Sequence, residues 1–247
     1  MSAFYETDAA LAQYLLFHYG TPEQNCPLLP AAREACGFPV RCVREPLGHL
    51  RPAQFRRALD LGCAVGRSSF ELARDFSEVV GIDFSARFIA AAQTLQRDGA
   101  MTFSAAREGT AQDEFRVELP GDIARDRVAF EQGDACDLRP DLGVFDLILM
   151  ANLIDRVPDP ARCLAQLPAL VAPGGGLIIT SPYTWLEEYT PRGRWLDQGA
   201  GTLAALREKL APAFRLVHAF DLPMLIRDHR RKYQWTMTET STWQRAA

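Results

Sequence analysis

Residues 58–73 read ALDLGCAVGRSSFELA, and an acid, Asp83, closes the run VVGID seventeen residues beyond Gly66. ALDL is strand-like, the glycines make a tight turn, SSFELA continues as a helix and VVGID forms a second strand. Strand, turn, helix, strand and carboxylate in that order describe a nucleotide-type pocket at the carboxyl end of an open α/β sheet, where ligands of such sheets sit. Gly62 and Gly66 enclose three residues, and Ala64 stands where the dinucleotide fingerprint GxGxxG needs a glycine. A GxxxxGK[ST] loop for a nucleoside triphosphate is missing from the sequence. From the residues alone, Asp83 reads either as a ribose-binding acid or as a surface acid.

Outward from this unit the alternation is regular. Strands are predicted at 56–61, 78–82, near 128–132, 144–150 and 175–180, and helices at 67–76, 86–97 and 160–171. Strands alternating with helices imply a parallel sheet. VFDLILM (144–150) and GLIIT (176–180) are nearly continuous apolar runs, as central strands buried on both faces are. A helix at 201–211 then leads to two strand-like runs, FRLVHAF and KYQWTMTETSTW, separated by DLPMLIRDHRR. Residues 99–127 are charged and poor in large apolar side chains, which predicts a surface excursion. Upstream, Phe4, Leu11, Leu15, Leu16 and Tyr19 fall at helical spacing and predict one helix over 4–19, ending at Gly20. The proline- and cysteine-rich stretch after it has no sustained period and reads as turns and short helices. The predicted organisation is an N-terminal cover, residues 1–52, on one unit, residues 53–247.

Composition narrows the function. The 247 residues are 48% hydrophobic and 10% aromatic, as in a packed globular protein. No run approaches the ~18 uninterrupted apolar residues of a membrane span. Glu6 and Asp8 occupy the place of a signal peptide's basic region, so export is not expected. Cysteines 26, 36, 42, 63, 136 and 163 lack CxxC pairing or histidines at ligand spacing, so neither a zinc site nor a disulfide framework is expected, and a reducing cytoplasm is. The formal charge of −4 disfavours a nucleic-acid partner. A small-molecule substrate is expected instead, away from any membrane.

The glycine turn and its acid resemble the first motif of class I S-adenosylmethionine-dependent methyltransferases. The resemblance implies a Rossmann-like, doubly wound, mostly parallel seven-stranded sheet with an antiparallel last strand, capped here by the N-terminal helical cover. S-adenosylmethionine is the implied cofactor and S-adenosylhomocysteine the product. Asp60, Gly62, Cys63, Ala64 and Gly66 then form the turn along the cofactor's amino-acid arm, where a missing Cβ gives clearance. Asp83, with Phe84 and Ser85, takes the ribose diol. In EQGDACDL, Asp134, Ala135 and Cys136 are implied to receive the adenine, although a Gly-Asp pair is also ordinary turn chemistry. Ala151 and Asn152 lie beneath the sulfonium and face the acceptor.

Five segments outside this core carry a closer resemblance: YETDAALAQYLLFHYG (5–20), FPVRCV (38–43), ANLIDRVPDP (151–160), SPYTWLEEYTP (181–191) and HRRKYQWTMTETSTW (229–243). Together they resemble the methyltransferase of ovothiol biosynthesis, which methylates an imidazole nitrogen of 5-thiohistidine (4-mercaptohistidine). In many relatives this unit is joined to an iron-dependent sulfoxide synthase. Such a synthase half is not in this sequence, so a separate synthase is the expected functional partner. Asp155 is the candidate to fix the imidazole tautomer, or else it caps a turn or pairs with Arg156. Tyr183 is the candidate catalytic wall, with Tyr189, Tyr5 and His18 as further walls or simple packing. Arg192, Arg194, Arg230 and Arg231 are candidates for the substrate carboxylate, or else solvated loop residues. Two other functions remain open: methylation of a different small amine, thiol or carboxylate, and a non-catalytic cofactor-binding partner of the synthase.

Overall fold

The computed structural model describes residues 3–52, 54–197 and 199–246. Its centre is a seven-stranded sheet built from β1 (Arg57–Leu61), β2 (Glu78–Asp83), β5 (Val128–Gln132), β6 (Phe145–Ala151), β7 (Val171–Ser181), β8 (Phe214–His229) and β9 (Lys232–Arg245), in the order β5-β2-β1-β6-β7-β9-β8. The first five strands in that order pair in parallel, and β9 runs antiparallel to both β7 and β8. The reversal of direction from β1 leaves a crevice at the carboxyl ends of β1 and β6, the switch point where open sheets bind ligands. The expected class I methyltransferase architecture is what the chain adopts.

The central strands bury both faces by period-two alternation. Ala58, Leu147, Leu149 and Ile178 pack in the core beneath α4 (Arg67–Leu72) and α5 (Ala86–Asp98). Leu59, Ile148, Met150, Leu177 and Ile179 pack in the core beneath α6 (Pro160–Leu170) and α7 (Thr202–Leu210). Apolar side chains are needed on both faces, so these strands read as continuous hydrophobic runs.

Three expectations are corrected. The single N-terminal helix is a 3-10 turn, Ala3–Glu6, followed by α1 (Asp8–Tyr19), because the Thr7 side chain accepts the N–H of Ala10 and caps α1 there. The 99–127 excursion contains a β-hairpin, β3 (Ala100–Glu108) and β4 (Ala111–Glu118), which packs on α1. The segment DLPMLIRDHRR is no separator. Most of it extends β8 to His229, with Leu222, Met224, Leu225 and Arg227 turned inward. The cover continues after α1 with α2 (Pro22–Asn25) and α3 (Phe38–Leu47), the latter packing on α4.

Candidate functional site

The carboxyl ends of β1, β2 and β6 open into one cavity of about 390 Å³. One end lies under the glycine turn. There the N–H groups of Gly62 and Cys63 donate to the carbonyl of Ile82 at 2.8 and 3.0 Å, folding the turn over β2. Gly62 sits at φ +81°, and a Cβ on it would stand 2.9 Å from Leu153 Cδ1. Gly66, at φ +86°, precedes α4, and a Cβ there would meet the Phe130 ring at 2.6 Å. Gly66 therefore permits close helix–sheet packing and is not itself a wall.

Two carboxylates face this end. Asp83 Oδ2 accepts the N–H of Ala64 and Oδ1 that of Ser85, both at 2.9 Å. A carboxylate has about four acceptor sites, so lone pairs remain for a diol. Burial pushes the Asp83 carboxyl up to about 6 against these hydrogen bonds. Asp60 Oδ2 accepts the Ser69 hydroxyl at 2.6 Å, whereas Oδ1 is buried with no partner. Burial, seconded by the charge of Asp83, pushes Asp60 to about 7. A glycine cradle and an orphaned buried acceptor fit the ammonium-bearing arm of a sulfonium nucleoside, and Asp83 fits its sugar.

Cys63, Ala64, Phe84, Ala135, Ala151 and Asn152 also line the cavity, as does Gly133. Ser85, Asp134 and Cys136 do not. Ser85 Oγ caps α5 by accepting the N–H of Phe88 and donates to Tyr5 O. Asp134 accepts the N–H of Cys136 in a local turn, and Cys136 Sγ donates to Asp159 O. Of the three residues expected at the adenine, only Ala135 lines the cavity.

The other end of the cavity is walled by Tyr5, Gln13, Tyr14 and His18 from the cover, by Arg156 and Tyr189 from the loops after β6 and β7, and by Met224, Gln234 and Thr236 from β8 and β9. The Tyr5 ring lies 5.9 Å from those of Tyr14 and Tyr189. Desolvation raises the phenols of Tyr5 and Tyr14, the latter to about 12, so both stay protonated. Burial, with the Arg67 charge nearby, drives His18 down to about 3 and keeps it neutral, and its Nδ1 has no partner. Asn152, at φ +54°, accepts the Thr180 hydroxyl at 2.9 Å and donates to Met224 Sδ at 3.1 Å.

Both expected catalytic residues lie elsewhere. Asp155 is fully buried outside the cavity, with Oδ1 accepting the Ser181 hydroxyl at 3.0 Å and Oδ2 accepting Arg156 Nη1 at 2.7 Å. Burial raises its carboxyl even against the Arg156 charge. Tyr183, at φ +52°, does not line the cavity; it is half-buried, packed against the core cluster that includes α6, with Glu239 beside its hydroxyl. Arg192 lies over the Trp195 ring and Arg194 pairs with Asp159. Arg230 and Arg231 are exposed at the turn between β8 and β9. Arg156 and Tyr14, like Gln13, Met224, Gln234 and Thr236, are walls that the sequence does not single out; the Leu-Ile-Asp-Arg order after β6 gives no sign of which charged neighbour turns inward.

Residues 59–177 match one family model described as a methyltransferase domain, and residues 122–244 match another with that same description. The chain is 27% identical over 132 residues to a ubiquinone biosynthesis O-methyltransferase of Paracidovorax citrulli, covering 53% of this chain and 46% of that protein. It is 31% identical over 146 residues to a magnesium-protoporphyrin O-methyltransferase of Rhodobacter capsulatus, covering 55% and 53%. The chain thus spans about half the length of the curated relatives it matches. The solved structure of the N-methyltransferase NodS from Bradyrhizobium japonicum WM9 in complex with S-adenosyl-L-homocysteine matches over 100% of both chains with a TM-score of 0.57 at 16% identity, and a second structure of NodS matches over 85% of this chain and 95% of that one with a TM-score of 0.54 at 17% identity. That likeness is one of fold.

Proposed function

From the premise that this chain carries an S-adenosylmethionine-dependent class I methyltransferase domain, we propose that it transfers the methyl group to an imidazole nitrogen of 5-thiohistidine. The observation that carries the proposal is convergence. The five segments that resemble the ovothiol methyltransferase lie far apart in sequence, yet each contributes side chains to the one cavity: Tyr14 and His18, Phe38, Asn152 and Arg156, Tyr189, and Thr236. The cofactor half is lined by the glycine turn after β1 and by the end of β2.

When bound, the cofactor supplies an electrophilic methyl on a sulfonium. Displacement at that carbon needs alignment of a lone pair at near-attack distance more than it needs a base. A neutral imidazole already presents the lone pair. Asp155 is committed to Ser181 and Arg156, and the Asn152 amide to Thr180 and Met224, so fixing the ring's other nitrogen falls to the amide oxygen of Gln13. The protonated hydroxyls of Tyr5 and Tyr14 are donors suited to hold the sulfur away from the methyl axis. Six free, buried thiols support a reaction in a reducing compartment, the cytoplasm, downstream of a separate sulfoxide synthase. Among the described residues no group of three metal-ligating side chains occurs, and no helix is long and apolar enough to cross a membrane.

The names of the curated relatives favour a second reading, methylation of another small acceptor, because those proteins are O-methyltransferases. Incubation with methyl-labelled cofactor and a panel of histidine, 5-thiohistidine, simple thiols and phenols separates the two. Label on the 5-thiohistidine ring nitrogen is the expected result. Label on another acceptor with none on 5-thiohistidine overturns the proposal.

A further inference from the structure

The two ends of the cavity carry opposite charge. Asp60 and Asp83 line the cofactor end, and Arg156 is the one guanidinium or ammonium lining the cavity among the described residues. The positive groups of the cofactor account for the acids. At the acceptor end, among three tyrosines, Arg156 meets its partner Asp155 through Nη1 alone and lines the cavity with the rest of its head group.

Arg156 is built to receive one. Its Nη1 donates to Asp155 Oδ2, Asp155 O and Thr184 O at 2.7, 2.9 and 2.7 Å, and Asp155 is itself held by Ser181. The guanidinium carbon stands 5.0 Å over the Tyr189 ring. The head group is thus immobilised before any ligand arrives, which reduces the ordering cost of binding. Among the described residues Nε and Nη2 make no hydrogen bond, so the second edge of the fork is available. A planar fork with a free edge matches a carboxylate bidentately, a geometry that a single sulfur atom does not offer.

We propose that Arg156 is the specificity-determining residue that takes the acceptor's carboxylate, with Asp155 as its positioning residue. This rests on the reading of the acceptor as an amino acid. It reassigns Asp155 from the substrate ring to the guanidinium.

The test compares kcat and KM for 5-thiohistidine and for 5-thiohistamine, which keeps ring and sulfur but lacks the carboxylate, in the native protein, Arg156→Lys and Arg156→Gln. Titration calorimetry with S-adenosylhomocysteine and a melting temperature are measured for each. Charge-assisted hydrogen bonds of this type give the native protein a preference for the acid of roughly 10- to 100-fold. Arg156→Gln should lose most of that preference through KM, and Arg156→Lys, which keeps the charge without the fork, should lose part of it. S-adenosylhomocysteine affinity should be maintained in both. Should Arg156→Gln fail to fold, the lysine variant and the native preference still decide. A native protein indifferent to the carboxylate, or a preference that survives in the variants, overturns the assignment. So does a parallel loss of S-adenosylhomocysteine affinity, which would place the guanidinium on the cofactor's own carboxylate. If no imidazole is methylated but another carboxylate-bearing acceptor is, with its preference lost in Arg156→Gln, the substrate reading fails while the role of Arg156 stands.

Discussion

Asp83 Oδ2 accepts the backbone N–H of Ala64 at 2.9 Å, tying the end of β2 to the glycine turn that follows β1. One carboxylate thereby shapes the turn and faces the cavity. Asp83→Ala removes both the proposed sugar contact and the tie, so S-adenosylhomocysteine affinity should fall by roughly 10- to 100-fold, as for loss of hydrogen bonds to a charged group. Asp83→Asn keeps one acceptor oxygen and should fall between. Calorimetry on variants with native circular dichroism measures this, and an unchanged Kd in Asp83→Ala would remove Asp83 from the cofactor site.

The same acids predict a pH dependence. Burial raises Asp60 from 3.8 to about 7 and Asp83 from 3.8 to about 6. A carboxyl whose folded value lies above its unfolded one binds more protons when folded, so its contribution to stability is present below pH ~4 and is lost as pH rises through ~6 to 7. A cofactor carrying positive charge favours the ionised forms. The free protein should therefore lose melting temperature from these two groups between pH ~4 and ~7, while the added stabilisation by saturating S-adenosylmethionine grows across that window. Thermal melts from pH 5 to 8, with and without cofactor, give both curves. A cofactor-induced shift that shrinks with rising pH would contradict the prediction.

Gly62 carries the clearance argument. At φ +81° a side chain is disfavoured by about 1–2 kcal/mol, and its Cβ would also press on Leu153 Cδ1, a flexible end that can move. Gly62→Ala should thus cost roughly that much stability and also weaken cofactor binding, since the added methyl displaces Leu153, itself a wall of the cavity. Gly109 also has positive φ, but nothing lies within 4 Å of its Cβ position. Gly109→Ala should cost a similar stability and leave cofactor affinity unchanged, which isolates the role of the turn.

The cofactor half of the site was legible because its determinants are local. A turn between a strand and a helix needs glycine at fixed offsets, and strands buried on both faces are uninterrupted apolar runs. The acceptor half depends on which side chains of neighbouring loops turn inward, and sequence order does not encode that. Asp155 and Arg156 are adjacent, yet the acid points into the core and the base into the cavity. Tyr183, two residues past the end of β7, packs against the core instead of lining the cavity, and the order SPYTW does not encode that choice. The β3–β4 hairpin was missed for another reason. Its strands bury few side chains, Ala105 and Val117 among them, so their alternation is largely between half-buried and exposed residues and reads as loop.

This difference between Tyr183 and Tyr14 is measurable. Tyr183→Phe removes a hydroxyl beside Glu239, outside the cavity, so kcat/KM should change by less than about threefold while stability drops by no more than about 1 kcal/mol. Tyr14→Phe removes a protonated donor from the acceptor wall and should lower kcat/KM by roughly tenfold or more at unchanged cofactor affinity. Steady-state kinetics on the pair, with melts as a control for folding, decides which tyrosine belongs to the site.

Arg227 explains how cover, hairpin and sheet hold one cavity together. It projects inward from β8 and is 4% exposed. Its Nη1 donates to Gln24 O at 2.8 Å in α2, its Nη2 to Ala106 O at 3.4 Å in β3, and its guanidinium lies 5.4 Å from the Phe115 ring centre in β4. The ion pair with Asp113, at 3.5 Å with the acid partly exposed, adds little by itself. Gln13, a cavity wall, donates to the carbonyl of Arg227 and to the side chain of Asp228. Removing the guanidinium strands the Gln24 and Ala106 carbonyls and empties the space beneath Phe115, so Arg227→Ala should cost about 2–4 kcal/mol. The loosened cover should raise the acceptor KM more than it weakens S-adenosylhomocysteine, because the cover supplies acceptor walls while the glycine turn and Asp83 lie in the sheet. Denaturant unfolding gives the first quantity, and kinetics paired with calorimetry the second. Equal losses in both ligands would mean that the cover and the cofactor end form a single cooperative unit.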